Sequence, residues 1–406
     1  MAMKNKSIVM LGCFDTKAAD FSYLLEGLNA LGEPTITINT GVMETSVVFP
    51  IDVDNVSVAA ASGTSLKAIR ESGDRGKAVA LMGKGAAAIL AGLVAKDQIK
   101  GVIGMGGGGG TYIILEAMQA VPLGIPKLCL STVVAKDLSR QLGVKDITMM
   151  SSVVDVAGLN SISRLLIRQA AAAICGMAQV KEDTLATSKR TIAISMFGNT
   201  TKCVDQCTLL LKAKGYEVMA FHATGVGGST MEALIREGVF DAVLDVTTTE
   251  LADELCGGIL SAGPDRLTAA SEMGIPQIVV PGCLDMVNFA QMDTLPQKYR
   301  SRKLYSWAPD VTLMRTDNNE NKILGKQLVD KLKQATAPVE ILIPLKGISQ
   351  IDSEGGIFCD PEADNALFES IKENAKNHIT VVEVDAHINE EAFAGMLVER
   401  LSALIA

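Results

Sequence analysis

The stretch VIGMGGGGGTYIILEAM, from Val102 to Met118, decides how this chain is read. The apolar run GVIGM (101–105) reads as a strand. It enters five consecutive glycines, Gly106–Gly110, and then a segment whose apolar spacing predicts a helix over 111–121. Strand, bare turn and helix in that order form the unit from which parallel α/β sheets are built. Glycine costs about 0.5–1 kcal/mol relative to alanine inside regular structure, and a turn needs one or two of them. Five together call for another reason. Residues without side chains let a ligand approach the backbone, successive N–H groups can face one anion, and the helix N-terminus adds partial positive charge. Gly106, Gly107, Gly108, Gly109 and Gly110, with the hydroxyl of Thr111, therefore read as a phosphate or carboxylate cradle. The alternative is a strand-to-helix connection that binds nothing.

Outward from this stretch, short apolar runs alternate with amphipathic ones. Strands are expected at 7–13, 35–40, 78–82, 101–105 and 127–132, and again at 191–197, 216–221, 241–246, 277–282, 311–316, 339–344 and 379–385. Near-continuous apolar strands between helices indicate parallel sheets covered on both faces, so the fold class is α/β. A polar, charged break, KEDTLATSKR (181–190), follows a long helical pattern (156–179) and marks the boundary between domains 1–180 and 190–406. The halves repeat loosely. SIVMLGCFDTKAADFSYLLEGLNALG resembles TIAISMFGNTTKCVDQCTLLLKAKGY, and ALMGKGAAAILAGLVAKDQIKGVIGM parallels AFHATGVGGSTMEALIREGVFDAVLDV. Two Rossmann-like subdomains with a cleft between them follow, with ligands at the carboxyl ends of the strands.

The chain has 406 residues, 48% hydrophobic and only 4% aromatic, with a net charge of −9. That balance argues against nucleic-acid binding, which relies on Lys and Arg meeting phosphates. No signal peptide and no apolar stretch of spanning length is read, so the expected location is the cytoplasm, with no membrane partner. The apolar composition suggests a homo-oligomer. The eight cysteines lie mostly in apolar segments and read as reduced, buried thiols. Cys203 and Cys207 share a helix face, where two small apolar residues are the plainer reading than a metal site.

Two named motifs fail. Gly104, Gly106 and Gly109 satisfy GxGxxG, yet the stretch is not in the first βαβ unit and an acid is missing about 20 residues on. The Walker pattern is absent, because Gly76-Lys77 is followed by Ala78. Other loops join the same rim. Asp15, Thr16 and Lys17 (in GCFDTK) follow the first strand and suit a sugar, a phosphate or a metal. Gly83, Lys84 and Gly85 follow the expected third strand. Ser131 and Thr132 end the fifth, where capping is the plainer reading. In the second half, Gly225–Thr230 offers a second anion turn. DVTTTELADELCGG carries Asp245, Thr247–Thr249 and Glu250, and Asp285 and Asn288 lie just past a strand end; acids at such places read as caps or as ligands of a metal or ribose. Of the three histidines, His222 alone is placed for proton transfer. Asp155 and Asn160 are polar residues in an apolar segment, with helix capping as the alternative. The Gly- and acid-rich segment 347–364 suits a lid or an interface.

Taken in order, GCFDTK, GMGGGGGT, MMSSVVDVAGLNSISR, FHATGVGGSTMEALI, VPGCLDMVNF, LMRT and PLKGISQIDSEGGIFCDPEAD resemble an uncharacterised α/β family. The N-terminal inhibitory domain of the tomato mosaic virus resistance protein represents it. The resemblance runs from about residue 5 to the C-terminus. It implies two Rossmann-like subdomains and ATP binding. The plant protein also inhibits viral replication by binding the viral replication protein, a role not carried over here. The plant chain continues into a TIM-barrel-like region, whose chemistry is expected to be absent here or to sit on another chain.

The expectation is thus a nucleotide-binding protein, ATP with Mg²⁺, with the reaction open. The alternative is an enzyme of small-molecule metabolism that closes on an anionic metabolite and moves protons through His222, Lys17 or Asp285. A third possibility is an interaction module whose glycine loops matter only for shape.

Overall fold

The computed structural model describes residues 6–180, 189–376 and 378–405, and its contacts divide the chain into units Met1–Asp183 and Thr184–Ala406. Residues 181–188 of the expected boundary lie outside the described residues.

Unit 1 runs β1 (Ser7–Gly12), α1 (Ala18–Ala30), β2 (Thr35–Asn39), α2 (Asn55–Ala61), α3 (Leu66–Glu71), α4 (Arg75–Ala95), β3 (Ile99–Gly106), α5 (Gly108–Met118), β4 (Lys127–Ser131), α6 (Ser139–Leu142), β5 (Ile147–Ser151) and α7 (Ser161–Ala178). Its five strands are parallel in the order β2-β1-β3-β4-β5. Alternation along β1 sorts the core. Val9 and Leu11 pack toward α4 and α5, while Ile8 and Met10 face α1 and α7. Both faces are covered, as a parallel sheet requires.

Unit 2 continues with β6 (Thr191–Met196), α8 (Thr201–Ala213), β7 (Glu217–His222), α9 (Val226–Arg236), β8 (Ala242–Thr247), α10 (Glu250–Cys256), α11 (Ala269–Met273) and β9 (Gln277–Gly282). A small antiparallel sheet, β10 (Met286–Phe289), β11 (Leu304–Ala308) and β12 (Val311–Arg315), is inserted next. Then come α12 (Asn318–Leu332), β13 (Val339–Pro344), α13 (Pro361–Asn374), β14 (Ile379–Val384) and α14 (Glu391–Ile405). The main sheet is parallel, in the order β14-β13-β9-β8-β6-β7. Without the insertion, five of these strands repeat the order of unit 1, with β14 added at one edge. The fold is α/β, with two Rossmann-like, mostly parallel sheets in a loose repeat.

Several expectations need correction. Residues 78–82 are not a strand, and Gly83, Lys84 and Gly85 are not a turn: all lie inside α4. Asp74 caps that helix by accepting from Lys77 N at 3.0 Å, and the alanine-rich segment behind it favours helix. Its glycines serve helix packing. A Cβ on Gly85 would stand 1.9 Å from Val58 O in α2, and one on Gly83 would stand 3.0 Å from Glu116 Cβ in α5. The parallel drawn between 78–82 and the strand β7 therefore fails, although that between β1 and β6 stands. Helix α4 also has the length and composition of a spanning segment, contrary to the expectation that no stretch does. Strands β5, β10 and β11 were not anticipated. Helix α5 starts at Gly108, earlier than expected.

Candidate functional site

The strand order 2-1-3-4-5 reverses direction between β1 and β3, the crevice where such sheets accept ligands. The end of β3 and the start of α5 carry Gly106–Gly110, and the turn after β1 carries Asp15–Lys17. A cavity of about 830 Å³ opens over this edge. It is walled by those two turns, by Thr40–Met43 after β2, by Thr132 after β4, by Ser151–Asp155 after β5, and by Arg75 at the start of α4.

The five glycines divide by what the fold asks of them. Gly106 is favoured by packing, because a Cβ there would crowd backbone atoms of Gly110 and Thr111 at 3.0–3.1 Å. Gly108 and Gly110 are not. No atom lies within 4 Å of where their Cβ would stand, and neither has a positive φ. Both sit in the first turn of α5, where alanine would be cheaper by about 1 kcal/mol each. No side chain caps this helix. Its first amides therefore point at the cavity without an intrahelical partner. Arg75 brings charge alongside: its Nη2 lies 3.6 Å from the Cβ position of Gly109.

On the β1 side, Asp15 Oδ2 accepts from Met43 N at 2.9 Å, while Asp15 Oδ1 is buried without a partner. Gly41 lies under this carboxyl group, and a Cβ there would stand 2.3 Å from Asp15 Cγ. Lys17 Nζ donates to Val156 O, linking the turn after β1 to the chain after β5. Thr16 Oγ1 donates to Cys13 O at 3.5 Å. The thiol of Cys13 is pushed up by burial, so it stays protonated.

Thr111 lies behind the cavity wall. It is fully buried, and its Oγ1 bonds Ser131 Oγ at 2.7 Å and Gly106 O at 3.2 Å. That ties β3, α5 and β4 together and leaves nothing for a ligand. Lys84 lies on the exposed side of α4, away from the cavity. Asn160 is the N-cap of α7 in a capping box with Ser163, whereas Asp155 does line the cavity. Arg75, Val42, Met43 and Val153 went unread in the sequence, since only packing shows that they reach this edge.

The second anion turn has an internal occupant. Glu250 Oε1 accepts from Gly225 N at 2.7 Å and from Gly228 N at 3.1 Å, so a carboxylate of the chain itself fills the nest at the start of α9. Here each glycine answers to the fold. Gly225 has φ +82°, a Cβ on Gly227 would stand 1.9 Å from His222 O, and one on Gly228 would stand 2.1 Å from Glu250 Oε2. Glu250 is held in turn by Arg266, which is fully buried. Arg266 Nε donates to Glu250 Oε2 at 2.5 Å, Nη1 and Nη2 to Asp245 at 2.5 and 2.7 Å, and Nη1 to Glu232 at 3.2 Å.

The remaining candidates of unit 2 are dispersed. His222 is exposed and stacks on Phe197 at 5.6 Å between centroids, at the end of the edge strand β7. Asp285 is fully buried beyond β9, three strands away, and accepts from Ser349 Oγ at 2.8 Å. The two cannot share a substrate atom. Asp253 is pushed up to about 7 by burial while Asn288 Nδ2 donates to it at 2.8 Å. Cys203 and Cys207 are buried thiols, and among the described residues no group of three or more His, Cys, Asp or Glu could hold a metal ion.

Segment 347–364 is strapped down, contrary to the reading as a lid. Arg315 Nε donates to Phe358 O at 2.7 Å, and its Nη2 donates to Asp364 at 2.6 Å and to Asp352 at 3.4 Å. Asp352 Oδ2 accepts from Ile348 N at 3.0 Å. Burial, reinforced by the neighbouring Asp285 and Asp364, pushes Asp352 up to about 9, and burial pushes Asp285 up to about 6. A raised carboxyl pKa stabilises the fold while the proton is held. That contribution is complete below about pH 4 and is lost as pH rises through the folded value. Asp352→Asn, which keeps the acceptor for Ile348 N and carries no charge, is expected to remove the part of the decline due to Asp352. Melting curves from pH 6 to 9 should fall for the native chain relative to the variant. Parallel curves would mean that Asp352 is ionised throughout.

Comparison with known proteins places these features in a family. Residues 6–183 match the model of the N-terminal domain of the uncharacterised protein family UPF0261, and residues 189–405 match the model of its C-terminal domain. A UPF0261 protein of Clostridium tetani is 44% identical over 398 residues, covering 98% of both chains. The ToMV resistance protein Tm-1(GCR237) of Solanum lycopersicum is 39% identical over 80% of this chain and 44% of its own length. Among solved structures, the UDP-GlcNAc 2-epimerase of Methanocaldococcus jannaschii aligns with 67% of this chain and 83% of its own, at 8% identity and a TM-score of 0.21.

Proposed function

This chain belongs to the UPF0261 family, and we propose that its unit 1 binds a nucleotide, ATP with Mg²⁺. The observation that carries this is the pair Gly108 and Gly110. They are bare at a helix start, unneeded by packing or φ, and open to a cavity with room for a nucleotide. The uncapped amides of α5 take phosphate oxygens, and the partial charge of the helix end favours them. Arg75 adds a full charge on the same side, and Lys17 holds further N–H donors at the next turn. Mg²⁺ prefers one or two carboxylates with water and phosphate oxygens. Asp15, with its unpartnered Oδ1, and Asp155 are the carboxylates on the cavity wall that suit it. Unit 2, whose amide nest at the start of α9 holds Glu250, supports the fold of the chain and takes no phosphate at that turn.

A thermal-shift series tests this reading. Millimolar ATP with Mg²⁺ is expected to raise the melting point of the native chain by several degrees, as mass action requires for binding at about a hundredth of that concentration. Stabilisation by a small phosphorylated acid and not by ATP would move the function to metabolite chemistry. Silence with both would reject an anion site.

A further inference from the structure

Among the described residues, four that are not glycine have positive φ: Asp97 (55°), Val153 (59°), Leu267 (73°) and Cys283 (60°). Asp tolerates that region. Leu267 and Cys283 are 3% and 0% exposed, so packing inside the fold holds them. Val153 is different. It is β-branched, for which this backbone is a true outlier, and its side chain is 73% exposed. The turn that strains it is tightly made. Val154 N donates to Ser152 O at 2.5 Å, a three-residue turn of the rare hand. Ser152 Oγ donates to Val154 O at 2.6 Å, Val153 N donates to Ser151 Oγ at 3.3 Å, and Ser152 N donates to Ser131 O at 3.0 Å.

A strained residue whose side chain the fold does not bury has no internal reason to be valine, since glycine would relieve the backbone and lose no packing. The reason must lie in what enters the cavity, because Val153 stands on its wall. We propose that the Ser152–Val154 turn is a preformed wall that presses the Val153 isopropyl group against the apolar heterocycle of the bound nucleotide. This rests on the nucleotide reading above and goes beyond it: the turn after β3 takes the charged end of the ligand, and the turn after β5 selects for a base. Two strand spacings of about 4.8 Å separate β3 from β5, a distance over which a nucleotide can span both turns.

Calorimetry with two probes, ATP and inorganic tripolyphosphate, each with Mg²⁺, separates the two ideas. Val153→Gly is expected to melt roughly 2 °C higher than the native chain as the strain is released. It should bind ATP about tenfold more weakly, having lost the buried isopropyl group, and bind tripolyphosphate unchanged. Val153→Ala, which keeps the Cβ penalty of positive φ and loses only the branching, should lose ATP affinity while gaining less stability than Val153→Gly. A glycine variant that binds ATP as tightly as the native chain, that melts no higher, or that loses both probes equally, overturns the role of Val153. A native chain that binds neither probe overturns the nucleotide reading itself.

Discussion

Arg266→Met is expected to lower the melting temperature of unit 2 by about 10 °C at pH 7.5. The guanidinium is fully buried among Asp245, Glu250 and Glu232, and its Nη2 also donates to Thr247 O at 3.1 Å. Its removal leaves Asp245 and Glu250 in a low-dielectric interior with no ion-pair partner, and Glu232 with only Arg236 at 4.0 Å. Breaking a buried ion pair from one side costs about 3–5 kcal/mol, and in a domain of this size each kcal/mol moves the midpoint by roughly 2–4 °C. The backbone donors that remain, Gly225 N and Gly228 N on Glu250 and Leu267 N, Thr268 N and Ala269 N on Glu232, limit the loss without cancelling it.

The pH dependence identifies the cause. Burial already pushes Glu250 up, with Arg266 as the main opposing influence. Without Arg266 the folded Glu250 carboxyl rises further above its unfolded value. Stability gained by holding that proton is present at low pH and lost as pH rises through the raised folded value of Glu250. The deficit of the variant is therefore expected to be smallest near pH 5 and largest near pH 8. Calorimetry of the full chain across that range checks it. A deficit independent of pH would assign the loss to packing of the long side chain alone.

This cluster also shows what a sequence can and cannot carry. Asp245 near the end of a strand and Glu250 just past it are visible as acids, but their partner lies 21 and 16 residues downstream, in no repeating pattern. Nothing local distinguishes a carboxylate that awaits a ligand from one already held. The same limit applies to the glycines. GGGGG and GVGG look alike in one dimension. Only the space beside each Cα shows that Gly227 and Gly228 are packed, whereas Gly108 and Gly110 are open. Strand-and-helix alternation was legible because burial on both sheet faces imposes continuous apolar runs, as in β1, β3 and β9. It failed at α4, where an alanine-rich segment is as apolar as a strand and its glycines mimic a turn while serving the contacts with Val58 and Glu116. It failed again at β5, a part-exposed edge strand whose ITMMS carries little apolar signal.

The internal carboxylate of unit 2 supplies the design for the second experiment. Gly108→Asp is expected to reduce ATP affinity at least a hundredfold while the protein remains folded. The fold accepts the side chain, since nothing lies within 4 Å of the Cβ position and φ is not positive there. An aspartate in the first turn of α5 also suits the helix dipole, so the melting point of the free chain should hold or rise slightly. The carboxylate would then do at α5 what Glu250 does at Gly225 and Gly228: fill the amide nest from within. A ligand phosphate would have to displace it, and would meet its charge at about 4 Å. At the effective dielectric of a protein surface, that repulsion is about 4 kcal/mol per unit charge before screening. Gly108→Ala is the control, since a methyl group removes only the closest approach and should cost tenfold or less. Calorimetric titration of both variants decides the matter. If Gly108→Asp bound ATP as tightly as the native chain, the phosphates would lie elsewhere in the cavity, and the bare start of α5 would need another explanation.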